Sequence, residues 1–102
     1  MNDLSFLHDA VLSTISIDWE LGNIVLYLKY FEEKSINAKL NLIFFKEVNV
    51  TRSLEWGMSD QINNIDLIFE KDIKNCYTII IQLQSGDIIR SVFQKVFFEV
   101  LP

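Results

Sequence analysis

The chain has 102 residues, a formal net charge of −5 at pH 7 and a hydrophobic share of 50%, with 14 isoleucines beside only two alanines. A chain of this length is expected to form one domain, residues 1–102, with one core, which excludes a second catalytic domain. The scarcity of alanine and the wealth of β-branched residues disfavour a helical bundle, and the acidic balance disfavours nucleic-acid binding, which requires a basic face.

The first half of the chain predicts three strands in meander order. Residues 11–19 alternate, with Val11, Ile15, Ile17 and Trp19 on one face and Ser13 as the exception there, which indicates a half-buried strand. The other face carries Leu12, Thr14, Ser16 and Asp18. Residues 20–23 contain Gly and Asn and predict a turn. The next run, from Ile24, is apolar on both faces, as expected of a central strand. A third strand is predicted over residues 38–46.

The second half is less regular. Residues 51–64 show little periodicity and predict a long loop with one helical turn near Asp60, followed by a short strand over 65–70. Residues 76–84 alternate strictly and predict a strand, and Ser85-Gly86-Asp87 predicts a tight turn. Residues 88–101 fit both a strand and a helical stripe. We favour an antiparallel strand with a bulge or sharp bend near residues 94–95, with the helix as the alternative.

Together these elements predict a mainly β, single-domain fold. We expect an antiparallel meander sheet, curled into a sandwich or a partly open barrel, with about six to seven strands and at most one short helix. Several strands also carry apolar residues on their second face: Tyr27, Phe31, Ile43 and Phe45. A second sheet layer or another subunit is expected to cover them.

The residues that could carry catalysis are few. His8 is the only histidine, and neighbouring Asp9 would point to the opposite side of an extended chain, so we expect Asp9 to accept backbone hydrogen bonds in a turn rather than to orient His8. Cys76, the only cysteine, reads as a buried inert thiol. No phosphate-binding loop, nucleophile elbow or zinc-ligand set is present. The sequence therefore predicts no enzyme, no catalytic residue, no metal and no cofactor.

A contact surface is the better prediction for residues 56–60. Trp56 and Met58 on a loop are typical of adaptable contact residues, although Trp56 could instead close one end of the sheet. The predicted partner-binding residues are Trp56, Met58, Ser59, Asp60, His8 and Asp9. The N-terminus lacks the features of a signal peptide, and no apolar run is long enough to span a bilayer, so we expect a cytoplasmic protein without membrane association.

Three stretches of the sequence resemble a known family. They are residues 7–19, with Leu7-His8-Asp9-Ala10 leading into a strand that ends at Trp19; residues 56–63, with Trp56-Gly57; and residues 82–87, with Ser85-Gly86-Asp87. In their order along the chain they resemble small bacterial β-rich immunity proteins of polymorphic toxin systems, in particular the immunity protein 50 family and its uncharacterised relatives. The resemblance implies a non-enzymatic protein that binds and neutralises a cognate toxin, and it supplies no catalytic residues.

The expected function is therefore binding of a protein partner, for which a basic toxin is a candidate because this chain is acidic. The alternative is a small ligand-binding module or a homo-oligomeric structural β module, formed by pairing of strand edges or sheet faces.

Overall fold

The computed structural model describes residues 4–51, 61–70 and 75–102. In these ranges the chain forms one 3-10 turn, Ser5–Leu7, and eight strands in two four-stranded antiparallel sheets. The strands are β1 (Val11–Asp18), β2 (Asn23–Glu32), β3 (Lys34–Ile43), β4 (Glu47–Val50), β5 (Ile62–Glu70), β6 (Cys76–Leu83), β7 (Ile88–Phe93) and β8 (Lys95–Val100). The first sheet has the order β1-β2-β3-β8 and the second β4-β7-β6-β5. The prediction of a mainly β, antiparallel fold is confirmed.

The predicted number of six to seven strands was too low. The short strand β4, Glu47–Val50, escaped prediction because four residues give too little alternation to recognise. The run over 88–101 divides into β7 and β8 at Gln94, so the predicted bend is confirmed and the helical alternative is wrong. The helical turn predicted near Asp60 lies outside the described residues.

The bend at Gln94 carries the chain from one sheet into the other. Beyond this bend, the pairing of β3 with β8 continues as the pairing of β4 with β7. At the bend, the Gln94 N–H donates to the Ile43 carbonyl at 3.0 Å, and the Lys46 N–H donates to the Val92 carbonyl at 2.7 Å. Phe44, which has a φ of 56°, makes the corresponding bend between β3 and β4. On the far side, one bridge between Val11 and Gln61 links the sheets. The described strands thus form a two-layer sandwich and no closed barrel.

The core lies between the two sheets. Leu26 and Leu40 of the first sheet and Ile81 of the second are fully buried. Burial of each such side chain contributes about 1.5–3 kcal/mol, which is ample reason for strands with an apolar inner face to stack. The remaining members of the buried cluster are Leu4, Leu7, Ala10, Leu12, Ile24, Leu28, Tyr30, Ala38, Leu42, Ile62, Ile65, Ile79, Ile89 and Phe93.

A bulge in β1 changes the faces that strict alternation predicts. The register with β2 shifts between Leu12 and Thr14, and the Ser13 hydroxyl donates to the Tyr27 carbonyl at 3.0 Å. Because the extra residue resets the alternation, Leu12 and Ile15 both reach the core. Trp19, predicted on the apolar face of this strand, lies beyond its end and is 80% exposed.

The bounds of two other strands differ from prediction for local reasons. β3 begins at Lys34 rather than at residue 38, because Glu33 adopts a φ of 64° and makes a tight hairpin with β2. The positive φ of Phe44 ends β3 before residue 46. β5 begins at Ile62 rather than at residue 65, since a bulge near its start hides the alternation.

The second sheet covers only one face of the first. The expectation that a second layer covers Tyr27 and Phe31 is wrong, because these side chains point away from it and are 36% and 65% exposed. Phe45 packs partly against the core, and Ile43 is partly buried. Within the described ranges, no helix has the length and apolar character needed to cross a bilayer.

Candidate protein-binding surfaces

Of the six residues predicted to bind a partner, Trp56, Met58, Ser59 and Asp60 lie outside the described residues. The described residues on either side of that segment, Thr51 and Gln61, are both tied to the β6–β7 hairpin. The Thr51 N–H donates to the Ile88 carbonyl at 3.0 Å, and the Gln61 carbonyl accepts from the Gln84 N–H at 2.9 Å.

His8 and Asp9, the two described members of the predicted set, lie together and exposed. The His8 Nδ1 atom is 3.2 Å from Asp9 Oδ2, and the side chains are 56% and 63% exposed. The expectation that they point apart is wrong, because Asp9 adopts a φ of 70° and the chain is not extended there. The other Asp9 oxygen accepts from the Gln84 amide at 3.4 Å. The Asp9 carboxylate is thus contacted by the side chains of His8 and Gln84, whereas the sequence predicted that it would accept hydrogen bonds from backbone N–H groups.

The carboxylate of Asp87 stabilises the turn that contains it. Its Oδ2 accepts from the Ser85 hydroxyl at 2.7 Å, and its Oδ1 accepts from the Thr51 hydroxyl at 3.4 Å. Gly86 supplies the positive φ, 93°, that this turn requires. The predicted tight turn is confirmed, and its buried carboxylate fastens the end of β4 to the start of β7.

The surface around His8 consists of exposed polar side chains. The contact between His8 and Asp9 contributes little free energy, because water competes for both exposed side chains. In the described parts of the chain, no group of three or more His, Cys, Asp or Glu side chains could hold a metal ion. The single thiol, Cys76, is buried and free. This end of the sandwich thus presents exposed polar side chains to solvent.

A second surface lies at the β1–β2 turn and is apolar. We call it the Trp19 tip: Trp19 and Leu21 of the turn, Ile17 near the end of β1 and Phe44 directly after β3, whose exposed fractions are 80%, 63%, 44% and 50%. Side chains of this size are normally withdrawn from water, and Trp19 is the most exposed of the large apolar residues that the structure describes.

Backbone hydrogen bonds hold the Trp19 tip in shape. The Gly22 N–H donates to the Asp18 carbonyl at 2.9 Å, and the Leu21 N–H donates to the Asp18 carboxylate at 3.0 Å. Gly22 has a φ of 74°, and its carbonyl accepts from the Phe45 N–H at 2.9 Å, which fastens the turn to the corner after β3. The Trp19 ring meets the Phe45 ring edge-on at 5.8 Å. The exposed side chains therefore stand on an ordered base.

Acidic residues alternate with apolar ones along this turn: Asp18, Trp19, Glu20 and Leu21. The sequence reasoning missed this site because it assigned Trp19 to the inner face. A signal was present, however, since Leu21 lies within the turn predicted over residues 20–23 and Trp19 directly precedes that turn. Residues in a two-strand turn cannot continue the inward alternation of the strand before them.

Comparisons of this chain with protein-family models, with curated proteins and with solved structures found no match.

Proposed function

We propose that this protein binds another protein through the Trp19 tip and acts as an immunity protein that neutralises a toxin. The observation that carries the proposal is the exposure of Trp19, 80%, on a turn held by hydrogen bonds. Tryptophan is the residue type most enriched among binding hot spots, because one rigid ring buries a large area at little entropic cost. An ordered base reduces that cost further.

The charges of the turn favour a basic partner. Asp18 and Glu20 flank Trp19, and the whole chain carries a net charge of −5. Acidic groups at the edge of an apolar contact accelerate association with a basic surface and disfavour acidic competitors, while the apolar centre supplies most of the affinity. This combination suits a toxin of basic charge, and it agrees with the resemblance to immunity proteins of polymorphic toxin systems.

The predicted residues near His8 form a second candidate contact. His8 and Asp9 are exposed, and Trp56, Met58, Ser59 and Asp60 remain predictions. The two surfaces can be separated by mutation, because Trp19 and Trp56 are the only tryptophans in the chain. We expect Trp19→Ala to weaken binding more than Trp56→Ala.

The experiment starts from the gene next to the one that encodes this protein. Its product is expressed with and without this chain in a bacterial host, and survival and calorimetric affinity are measured. We expect protection by the wild type and a loss of at least about 30-fold in affinity for Trp19→Ala, the size of a hot-spot residue. The matched control is Phe31→Ala, which removes another exposed aromatic side chain, 65% exposed, from the opposite end of β2.

Two results would contradict the proposal. If Trp19→Ala and Phe31→Ala bind equally well, the Trp19 tip is not the contact surface. If no neighbouring gene product is toxic or bound, the immunity role is wrong, and the ligand-binding or structural alternative takes its place.

A further inference from the structure

The outer edge of β8 differs from the other three strand edges of the sandwich. Within the described ranges, β8 is the last strand of its sheet and pairs only with β3. Its six residues, Lys95–Val100, follow β3 in unbroken register. The other edge strands carry features that hinder pairing with a further strand: β1 and β5 contain bulges, and β4 has only four residues. The β8 edge has neither of these protections.

The backbone of β8 presents hydrogen-bonding groups along this edge. The Leu101 N–H donates to the Asn37 carbonyl at 2.8 Å, which continues the β3–β8 register by one pair. Hydrogen-bonded pairs alternate along an antiparallel ladder, so Lys95, Phe97 and Glu99 turn their backbone groups toward β3. The N–H and carbonyl groups of Val96, Phe98 and Val100 therefore point outward from the sheet edge.

The side chains of β8 form a self-complementary pattern. Lys95, Phe97 and Glu99 share the outer face, because they pair with Ile43, Asn41 and Lys39 on that face of β3. A cation and an anion thus lie at equal distances in sequence on either side of Phe97. Phe97 itself is 50% exposed. An antiparallel copy of the same strand, centred on Phe97, would place each lysine opposite a glutamate.

We propose that two copies of this protein pair through β8 around a twofold axis at Phe97, joining their first sheets into one eight-stranded sheet. Phe97 then faces Phe97 of the second copy at a non-hydrogen-bonded position, and Lys95 faces Glu99 of the second copy twice. Val96 and Phe98 form the hydrogen-bonded pairs between them. Their side chains already pack against the core cluster, so apolar surface continues across the junction.

The charges favour this register over its neighbours. Sliding one strand by two residues preserves the backbone pattern but brings Phe97 opposite Lys95 or Glu99 and removes both ion pairs. Within one copy, Lys39 Nζ already lies 3.6 Å from Glu99 Oε1, so the glutamate would stand between two lysines in the dimer. Such a row of alternating charge adds little affinity at the surface but selects one alignment.

Cross-linking tests the axis directly. Opposed residues at a non-hydrogen-bonded antiparallel site have Cα atoms about 4.5 Å apart, within the range that a disulfide accepts. We expect Phe97→Cys to form a disulfide-linked dimer on mild oxidation. The control, Phe31→Cys, places a thiol at another exposed position and is expected to remain largely monomeric on a non-reducing gel. Cys76 is buried and stays in both variants.

Charge reversal tests the register. In a Lys95→Glu homodimer both ion pairs become glutamate against glutamate, and in a Glu99→Lys homodimer both become lysine against lysine. Like charges directly opposite are destabilising, so each variant alone is expected to dimerise about tenfold more weakly than the wild type in sedimentation measurements. Mixing the two variants restores both attractive pairs, so a heterodimer is expected to form in preference. Lys29→Glu reverses a charge on β2 and is expected to leave dimerisation unchanged.

Three results would overturn the proposal. The first is a wild type that remains monomeric up to about 1 mM, where even a 4 kcal/mol association would be detected. The second is equal cross-linking of Phe97→Cys and Phe31→Cys. The third is a mixture of the two charge variants without preferential heterodimer formation. None of these results depends on the proposed toxin binding, because the dimer contact lies on β8 and not at the Trp19 tip. The Trp19→Ala variant is accordingly expected to dimerise normally.

Discussion

At one end of β2 the Tyr30 ring is enclosed, while beyond the other end the Trp19 ring projects into water. Tyr30 is 9% exposed, and its ring meets Phe6 at 5.6 Å and Phe98 at 5.8 Å. Phe6 also meets Phe98 edge-on at 5.2 Å. Among the described residues, Trp19 has one ring neighbour, Phe45, and it is 80% exposed. The two ends contain similar side chains in different surroundings.

The difference arises from the chain that precedes β1. The 3-10 turn Ser5–Leu7 lies over the Tyr30 end, where it places Leu7 in the core and Phe6 against two rings. Aromatic side chains enclosed in this way stabilise the fold, whereas an exposed tryptophan contributes little to folding. The aromatic side chains at the Tyr30 end are thus explained by their contribution to the stability of the fold. Stability does not explain the Trp19 tip, for which we propose binding of a partner.

The largest expected effect on stability comes from removing the enclosed side chain of Tyr30. Tyr30→Ala removes a buried ring and its contacts with Phe6 and Phe98, so we expect the free energy of unfolding to fall by about 3 kcal/mol. Urea denaturation followed by circular dichroism measures this change. The neighbouring Phe31→Ala, on the outer face, is expected to cost only about 0.5 kcal/mol. Equal losses for the two variants would mean that the enclosed end is not part of the core.

An intermediate effect is expected at the glycines of two turns. Gly22 at the Trp19 tip has a φ of 74° and Gly86 in the β6–β7 turn has a φ of 93°. A Cβ at Gly22 would meet Phe44 Cα at an ordinary 3.7 Å, and one at Gly86 would meet no atom of the described residues within 4 Å, so we expect the backbone strain to decide both effects. We expect Gly22→Ala to cost about 1 kcal/mol and Gly86→Ala up to about 2 kcal/mol, since its φ lies farther from the left-handed minimum.

These two variants also separate stability from binding. Thermal unfolding gives the stability of each, and calorimetry with the neighbouring gene product gives the affinity. We expect only Gly22→Ala to weaken binding, because it alone alters the turn that presents Trp19. A stronger effect of Gly86→Ala on affinity would instead place the contact near His8.

The sequence predicted the strands whose alternation is uninterrupted. β2 carries buried residues at every second position from Ile24 to Tyr30, and β6 alternates in sequence between apolar and other residues, so both were recognised. The change of phase at Gln94 was recognised as well, because the apolar pattern on either side of it cannot lie on one straight strand. What could not be predicted depends on single backbone angles. The bulge at Ser13 and the positive φ of Phe44 leave no composition signal, since neither residue is a glycine.

The same limit applies to the candidate sites. The His8–Asp9 contact follows from the positive φ of Asp9, which the sequence pattern does not reveal. Trp19 was assigned to the core because alternation was continued through the end of β1, although the strand stops at Asp18. A periodic pattern shows which residues a strand would bury. It does not show where the strand ends, and exposed contact residues often lie at that point.

The smallest expected change in stability comes from the substitution with the largest expected change in binding. Trp19→Ala removes a ring that is 80% exposed and meets the Phe45 ring at its edge, so we expect the free energy of unfolding to change by less than about 0.5 kcal/mol. The melting temperature should match that of the wild type within about 3 °C. A loss comparable to that of Tyr30→Ala would show that Trp19 is part of the core after all. Unchanged stability together with lost binding would show that the two ends of the first sheet have separate roles, one in folding and one in recognition.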